Sequence, residues 1–366
     1  ASHNPWTDNG IKIFGHDGYK LSDALEERLE ADIFSHLHSR HDPQRGDDVH
    51  GADNPLTAQY SGATDPELLR EYLDWLVASA HPALSGVRLL ADCANGASTP
   101  VAHELFTRCG VRASFIHDQP DGRNINEYCG ALHPDVMAAE VARRPGEFDL
   151  GVTFDGDADR ALFSDGNGKV LNGDAVLLLC ARDMQKHGKL NANVVVATTM
   201  SNMGLEVALE RCGIRMLRAP VGDKYVLEEM KKTGATLGGE QSGHIIYRDG
   251  DATTGDGLLT ALRVMDAVVR SGKPLDELVA DLKTFPQTIQ NVRVREKRPF
   301  DEFPAVATAI RSAEEELRGR GRVVVRYSGT EALARVMVEA ESDDTLRRLT
   351  ECIAGEIRKA MGVERA

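Results

Sequence analysis

Four short polar loops hold the residue types that phosphate chemistry needs. The first opens the chain as Ala1-Ser2-His3-Asn4-Pro5, with Lys12 shortly after. A serine hydroxyl is a weak nucleophile alone, but it carries a phosphoryl group well when cations and a base surround it. By itself Ser-His-Asn-Pro is also an ordinary turn. The second loop is Asp155-Gly156-Asp157-Ala158-Asp159-Arg160. Three carboxylates at alternate positions can converge on one hard cation. A calcium-binding loop would carry Gly and Glu where this chain has Arg160 and Gly166, so Mg²⁺ with a phosphate oxygen in its shell is the expected ion. Arg160 can neutralise charge on a transferring group. The third loop, Gly239 to His244, offers Glu240, Ser242 and His244 to sugar hydroxyls, and its glycines allow close approach. The fourth runs Arg326-Tyr327-Ser328-Gly329-Thr330-Glu331. Arg326, Ser328, Gly329 and Thr330, with Arg335 just beyond, suit a phosphate cradle.

These loops need elements to aim them. Asp-Leu-Gly-Val-Thr-Phe before Asp155 reads as a buried strand, and strand ends are where α/β proteins bind ligands. Residues 87–116 and 193–218 echo one another: an apolar run, a polar turn, an amphipathic stretch, Arg-Cys-Gly, then a second apolar run. That pattern predicts strand, turn, helix and strand, with Gly110 and Gly213 just past the helix ends. Strands alternating with helices imply parallel sheets, and two copies imply duplicated α/β domains. Residues 67–81 read as a helix. Residues 44–66, rich in Gly, Pro, Asp and Asn, read as a linker, and Ser-Asp-Gly-Asn-Gly at 164–168 as a turn. Beyond residue 288 three strand-like runs alternate with two helical ones, a small α+β domain. The expected fold class is therefore tandem mixed α/β domains followed by a small α+β C-terminal domain. The boundaries are 1–60, 61–165, 166–284 and 285–366. Residues 11–14 (Ile-Lys-Ile-Phe) read as a strand and 22–34 as a helix. The chain opens inside a polar loop with no strand before it, which creates the expectation that upstream sequence is missing.

The chain has 366 residues, and a net charge of -14 argues against a nucleic-acid partner. A local cluster of Arg and Lys can still hold an anionic small molecule. No apolar run is long enough to span a bilayer. Six scattered cysteines without a CxxC pair suit free thiols in a cytoplasmic setting.

Taken together and in order, the four loops resemble those of the α-D-phosphohexomutase family, and the resemblance covers essentially the whole chain. It implies that Ser2 carries a phosphoserine and that Asp155, Asp157 and Asp159 hold Mg²⁺, with the serine phosphate completing the set. It also implies that Glu240, Ser242 and His244 grip the sugar, and that Arg326, Ser328, Gly329, Thr330 and Arg335 hold the idle phosphate. Gln241, Pro-Asp-Gly-Arg-Asn-Ile-Asn at 120–126, Cys-Gly-Ala-Leu-His-Pro at 129–134 and residues 220–230 resemble the branch that acts on glucosamine phosphate. There are departures. Ala332 stands where the family has Pro, Tyr327 where Lys or Pro is common, and Ala131-Leu132 where Ser-Thr is usual. The family's opening Gly-Thr-Asp-Gly segment is not in this sequence.

The implied reaction moves phosphate between O6 and O1 of a hexosamine through a hexose 1,6-bisphosphate, which also serves as activator. Arg160 and Lys12 would stabilise the transferring group, and His3, Lys12 and His244 all remain candidates for proton transfer. The expected partner is a phosphosugar, with no nucleic acid and no membrane, while a homodimer stays open. The competing readings are a mutase for glucose or mannose phosphates, a non-catalytic phosphosugar-binding protein, and a metal-dependent phosphatase.

Overall fold

In a computed structural model of the chain, the structure describes residues 2–8, 10, 12–16, 18–40, 65–248, 254–328 and 332–363. The strand expected at 11–14 does not form among the described residues there. Instead Phe14 makes a single antiparallel bridge to Lys20. Gly15 N–H donates to Tyr19 O at 2.8 Å and Gly18 N–H to Gly15 O at 3.0 Å. The extended stretch folds back at once, so its hydrogen bonds close a tight turn and not a sheet ladder. Helix α1 (Asp23–Arg40) follows. Residues 44–64 of the expected linker lie outside the described residues. Helix α2 (Pro66–Ser79) begins where Asp65 accepts a hydrogen bond from Glu67 N–H at 2.9 Å, with Pro66 in the first turn. Such a cap contributes about 1 kcal/mol.

The first echo folds as β1 (Arg88–Asp92), α3 (Thr99–Arg108) and β2 (Arg112–Ile116). Helix α4 (Pro134–Arg143) leads to β3 (Leu150–Phe154), β4 (Ala161–Asp165) and the short β5 (Val170–Leu171). The sheet order is β2-β1-β3-β4-β5. β1 is parallel to both β2 and β3, whereas β3 and β4 are antiparallel with Phe154 opposite Ala161. The parallel arrangement thus holds on one side and reverses at β4. The physical reason is length: residues 155–160 are too few for a crossover, so the chain must turn back as a hairpin. This puts the acidic loop at the carboxyl end of a strand buried along its whole length.

Helix α5 (Gly173–Lys186) precedes the second echo, which folds as β6 (Val194–Thr198), α6 (Met203–Arg211) and β7 (Arg215–Ala219). Gly110 and Gly213 both take φ near +71°, ending α3 and α6 in the left-handed region. Then come α7 (Asp223–Thr233), β8 (Leu237–Gly239), β9 (Ile245–Tyr247), α8 (Gly257–Ser271) and the short α9 (Leu275–Leu278). The second sheet has order β7-β6-β8-β9, with β6 parallel to β7 and β8.

The C-terminal part comprises β10 (Gln287–Arg293), α10 (Pro304–Leu317), β11 (Gly321–Tyr327), β12 (Leu333–Ala340) and α11 (Asp343–Met361). Its antiparallel sheet has order β10-β12-β11. Leu346, Leu349, Ile353 and Ile357 recur at helical spacing along α11 and join Val292, Val306, Val336 and Val338 in one core. Each such side chain contributes roughly 1.5–3 kcal/mol by leaving water. The chain divides into two compact units, residues 1–170 with 246–270, and residues 171–245 with 271–366. Among the described residues no helix is long and apolar enough to cross a membrane.

Candidate active site

In the first unit the serine loop lies directly on the acidic hairpin. Ser2 O accepts from Gly156 N–H at 2.9 Å and from the Asn126 side-chain amide at 3.0 Å. The same amide donates to Asn4 O at 2.9 Å, so one side chain clamps two peptide groups of the loop. Gly156 is needed for this approach, because a Cβ there would sit 2.5 Å from Ser2 O and 2.8 Å from the Asn126 nitrogen. The hairpin is braced from beneath as well. Ala97 N–H donates to Gly156 O at 2.8 Å, and Gly257 N–H at the start of α8 donates to Ala158 O at 2.8 Å. Sequence reasoning missed Asn126, although its Asn-Ile-Asn stretch stood out as a branch signature. Nothing local marks an amide as the clamp of a loop so distant in sequence.

The three acids converge as the spacing predicts. Asp155, Asp157 and Asp159 each offer an oxygen within 4.8 Å of the others. Asp155 is fully buried, and its Oδ2 has no hydrogen-bond partner. Burial pushes its carboxyl up to about 7, the Asp159 charge adds to that, and a hydrogen bond with the Ser2 hydroxyl works the other way. Three crowded carboxylates with an orphaned buried oxygen are a donor set that fits a hard divalent cation such as Mg²⁺. Lys12 bonds Asp157, and it reaches Asp159 at 3.0 Å. Burial lowers its ammonium, but the two carboxylates outweigh that and hold it above the ordinary lysine range. Arg160 N–H donates to Asp155 Oδ1 at 3.0 Å, and its guanidinium lies 3.2 Å from His3 Nδ1. Burial and then the Arg160 charge lower the His3 imidazole, which favours its neutral form. Ser2, Trp6, Lys12, Asn126 and Asp157 line a cavity of about 640 Å³, a size that takes a small molecule.

In the second unit the Glu240–His244 loop is held by its own hydrogen bonds. Glu240 N–H donates to His244 O at 2.9 Å, and Gly243 N–H to Glu240 O at 3.0 Å. The Glu240 carboxylate accepts from Gly222 N–H at 2.8 Å and from the Ser242 hydroxyl at 3.1 Å. Gly173 N–H donates to Gln241 O at 2.9 Å, and a Cβ on Gly173 would stand only 2.0 Å from Glu240 O. Glu240 and Ser242 are half-buried, whereas His244 is buried with its Nε2 3.6 Å from Asp223 Oδ2. Gly222 and Asp223 lie within the 220–230 segment noted in the sequence, but no role was given to them there; both brace this loop. Arg326 on β11 and Arg335 on β12 are directly opposed. Residues opposed in a ladder share one face of the sheet, so both arginines are placed where two guanidiniums can meet one phosphate. Ser328 is buried and its carbonyl accepts from Lys297 Nζ at 2.6 Å. Gly329 and Thr330 lie outside the described residues.

All four domain models of one family match the chain. The phosphoglucomutase/phosphomannomutase α/β/α domains I, II and III match residues 1–39, 70–168 and 172–285, and the C-terminal domain matches 290–356. A phosphoglucosamine mutase of Koribacter versatilis is 58% identical over 99% of this chain and 77% of its own length. One from Solibacter usitatus is 50% identical over the same shares. Among solved structures, a phosphoglucomutase/phosphomannomutase family protein of Burkholderia thailandensis shares the fold, with a TM-score of 0.64 at 20% identity over 81% of this chain and 66% of that one. The N-acetylphosphoglucosamine mutase of Aspergillus fumigatus, solved with GlcNAc-6P and magnesium, gives a TM-score of 0.62 at 22% identity over 81% and 66%. The chain belongs to the phosphoglucomutase/phosphomannomutase family.

Proposed function

We propose that this member of the phosphoglucomutase/phosphomannomutase family interconverts glucosamine 6-phosphate and glucosamine 1-phosphate, the reaction of a phosphoglucosamine mutase. The observation that carries the reading is the seating of Ser2 on the acidic hairpin, with Lys12 spanning two of its carboxylates. The closely similar relatives supply the identity of the sugar. Phosphorylated Ser2 gives its phosphoryl group to O1 of the 6-phosphate: the bond to Ser2 Oγ breaks as the bond to O1 forms. The resulting 1,6-bisphosphate reverses in the cleft and returns its 6-phosphoryl group to Ser2, leaving the 1-phosphate.

Asp155, Asp157 and Asp159 are the residues that would hold Mg²⁺, which supplies positive charge to a transferring phosphoryl group. Arg160 and the ammonium of Lys12 add charge at the same place. Neutral His3 beside Arg160 is a better proton acceptor than Lys12, whose neighbours hold it protonated. Glu240 and Ser242 bind sugar hydroxyls, with His244 supporting their loop. Arg326 and Arg335, with Ser328, hold the phosphate that is not reacting. The same reading makes a phosphosugar the partner and the cytoplasm the setting.

The test is incubation with glucosamine 6-phosphate, Mg²⁺ and a catalytic amount of glucose 1,6-bisphosphate. Formation of the 1-phosphate without net inorganic phosphate is expected, at a rate above that for glucose or mannose phosphates. Phosphate release without isomer would mean a phosphatase. No reaction despite substrate binding would mean a binding protein.

A further inference from the structure

We propose that Asp92, His117 and Cys129 form a second metal site, for a borderline-soft divalent transition ion such as Zn²⁺. Asp92 ends β1, and its ladder partner is Ile116, the last residue of β2. His117 therefore emerges beside Asp92 at the same edge of the sheet. Cys129 comes from the segment that follows Asn126. The three offer a carboxylate oxygen, an imidazole nitrogen and a sulfur, all within 4.8 Å of one another. His117 Nδ1 stands 3.1 Å from Asp92 Oδ1. That contact is a hydrogen bond in the metal-free protein, and a tetrahedral ion with bonds near 2.0–2.1 Å would replace its proton and hold the two atoms about 3.3 Å apart, so little movement of this pair is needed. Only the sulfur has to close in.

The surroundings match what a metal site needs. The Asp92 carboxylate is aimed by Ala94 N–H on Oδ1 at 2.9 Å and Gly130 N–H on Oδ2 at 3.1 Å, and a cation would take the place on Oδ1 that His117 Nδ1 occupies by hydrogen bonding. Asp92 and Cys129 are fully buried, while the His117 side chain is 32% exposed and gives the way in. His117 takes φ +48°, which is uncommon outside glycine, and Ala94, Asn95, Asn126 and Tyr128 also have positive φ. A carboxylate and a thiolate balance a dication. The mixed oxygen, nitrogen and sulfur set disfavours Mg²⁺, so this centre is chemically distinct from the acidic hairpin. It also adjoins the catalytic loop, since Asn126 clamps Ser2 just upstream of Cys129.

Co²⁺ in excess Mg²⁺ is the probe, because thiolate ligation gives an intense charge-transfer band that oxygen ligands do not. One equivalent of Co²⁺ with that band is expected for the whole chain. Cys129→Ser should remove the band. His117→Gly, which relieves the positive φ and so should fold, should weaken Co²⁺ binding by on the order of 100-fold, the upper end of what losing even an outer partner costs. Asp157→Asn, which weakens the acidic hairpin's hold on a cation, should leave the band intact. Absence of the band, or its persistence at unchanged affinity in either His117→Gly or a folded Cys129→Ser, would overturn the proposal.

Discussion

At the scale of single residues, each role can be isolated by what its removal leaves standing. Ser2→Ala takes away the proposed phosphoryl carrier but keeps the backbone carbonyl on which Gly156 and Asn126 act. Turnover should fall to background while glucosamine 6-phosphate still binds, as isothermal calorimetry would show; a variant that isomerises at the parent rate removes Ser2 from the mechanism. Asn126→Ala is the complementary case. It deletes two amide hydrogen bonds to the loop, each worth roughly 1 kcal/mol, so kcat should drop by about 5–100-fold with KM little changed. A rise in KM alone would mean that Asn126 contacts the sugar and does not position the serine. The sequence made Ser2, Lys12 and the three aspartates legible because their types are rare in combination. The roles of Asn126, Gly222 and Asp223 stayed hidden, although their segments stood out, because they act through contacts that only the folded chain brings together, and an amide or a turn glycine has no chemistry that singles it out.

At the scale of elements, the decisive feature is the β3–β4 hairpin. The apolar runs and Arg-Cys-Gly stops were enough to predict both strand–helix–strand echoes, since those depend on local periodicity. The direction of β4 was not legible in that way: a strand pattern carries its length and burial but not the sense of its pairing. Nor could the apolar run at 11–14 reveal that Phe14 pairs only with Lys20. The hairpin makes a prediction of its own. Gly156→Ala sets a Cβ against Ser2 O at 2.5 Å and against the Asn126 amide, both fixed groups. The serine loop must lift, and a displacement near 1 Å can cost about 100-fold in rate. The expected result is a loss of kcat of that order with the fold preserved by circular dichroism. Near-normal kcat would show that the loop is not held by this contact. Gly173→Ala tests the second unit by the same logic. A Cβ 2.0 Å from Glu240 O displaces the loop that carries Glu240 and Ser242, so KM should rise more than kcat falls. An unchanged KM would exclude that loop from sugar binding.

At the scale of the whole molecule, the proposed cation would enter the stability of the fold itself. The overall charge of -14 says nothing about where the negative charge is concentrated. The hairpin does: without a cation, burial and Asp159 raise Asp155 to about 7, far above an ordinary carboxyl. A native group that binds its proton more tightly than the unfolded chain does adds stability at low pH. That contribution is complete below the unfolded value near 3.9 and is lost as pH rises through the folded value near 7. Metal-free protein should therefore lose melting temperature between about pH 5 and about pH 8, and Asp155→Asn should flatten that part of the profile. If the hairpin holds Mg²⁺ as proposed, the ion would bind the ionised acids of the native state and not the dispersed acids of the unfolded one, so it should raise the melting temperature, and more at about pH 8 than at about pH 5. Differential scanning calorimetry with EDTA and with Mg²⁺, at both pH values and in both proteins, gives the Mg²⁺ shift for each protein at each pH. An equal Mg²⁺ shift at the two pH values, or one that survives in Asp155→Asn, would mean that the cation stabilises the protein somewhere other than the hairpin on which Ser2 rests.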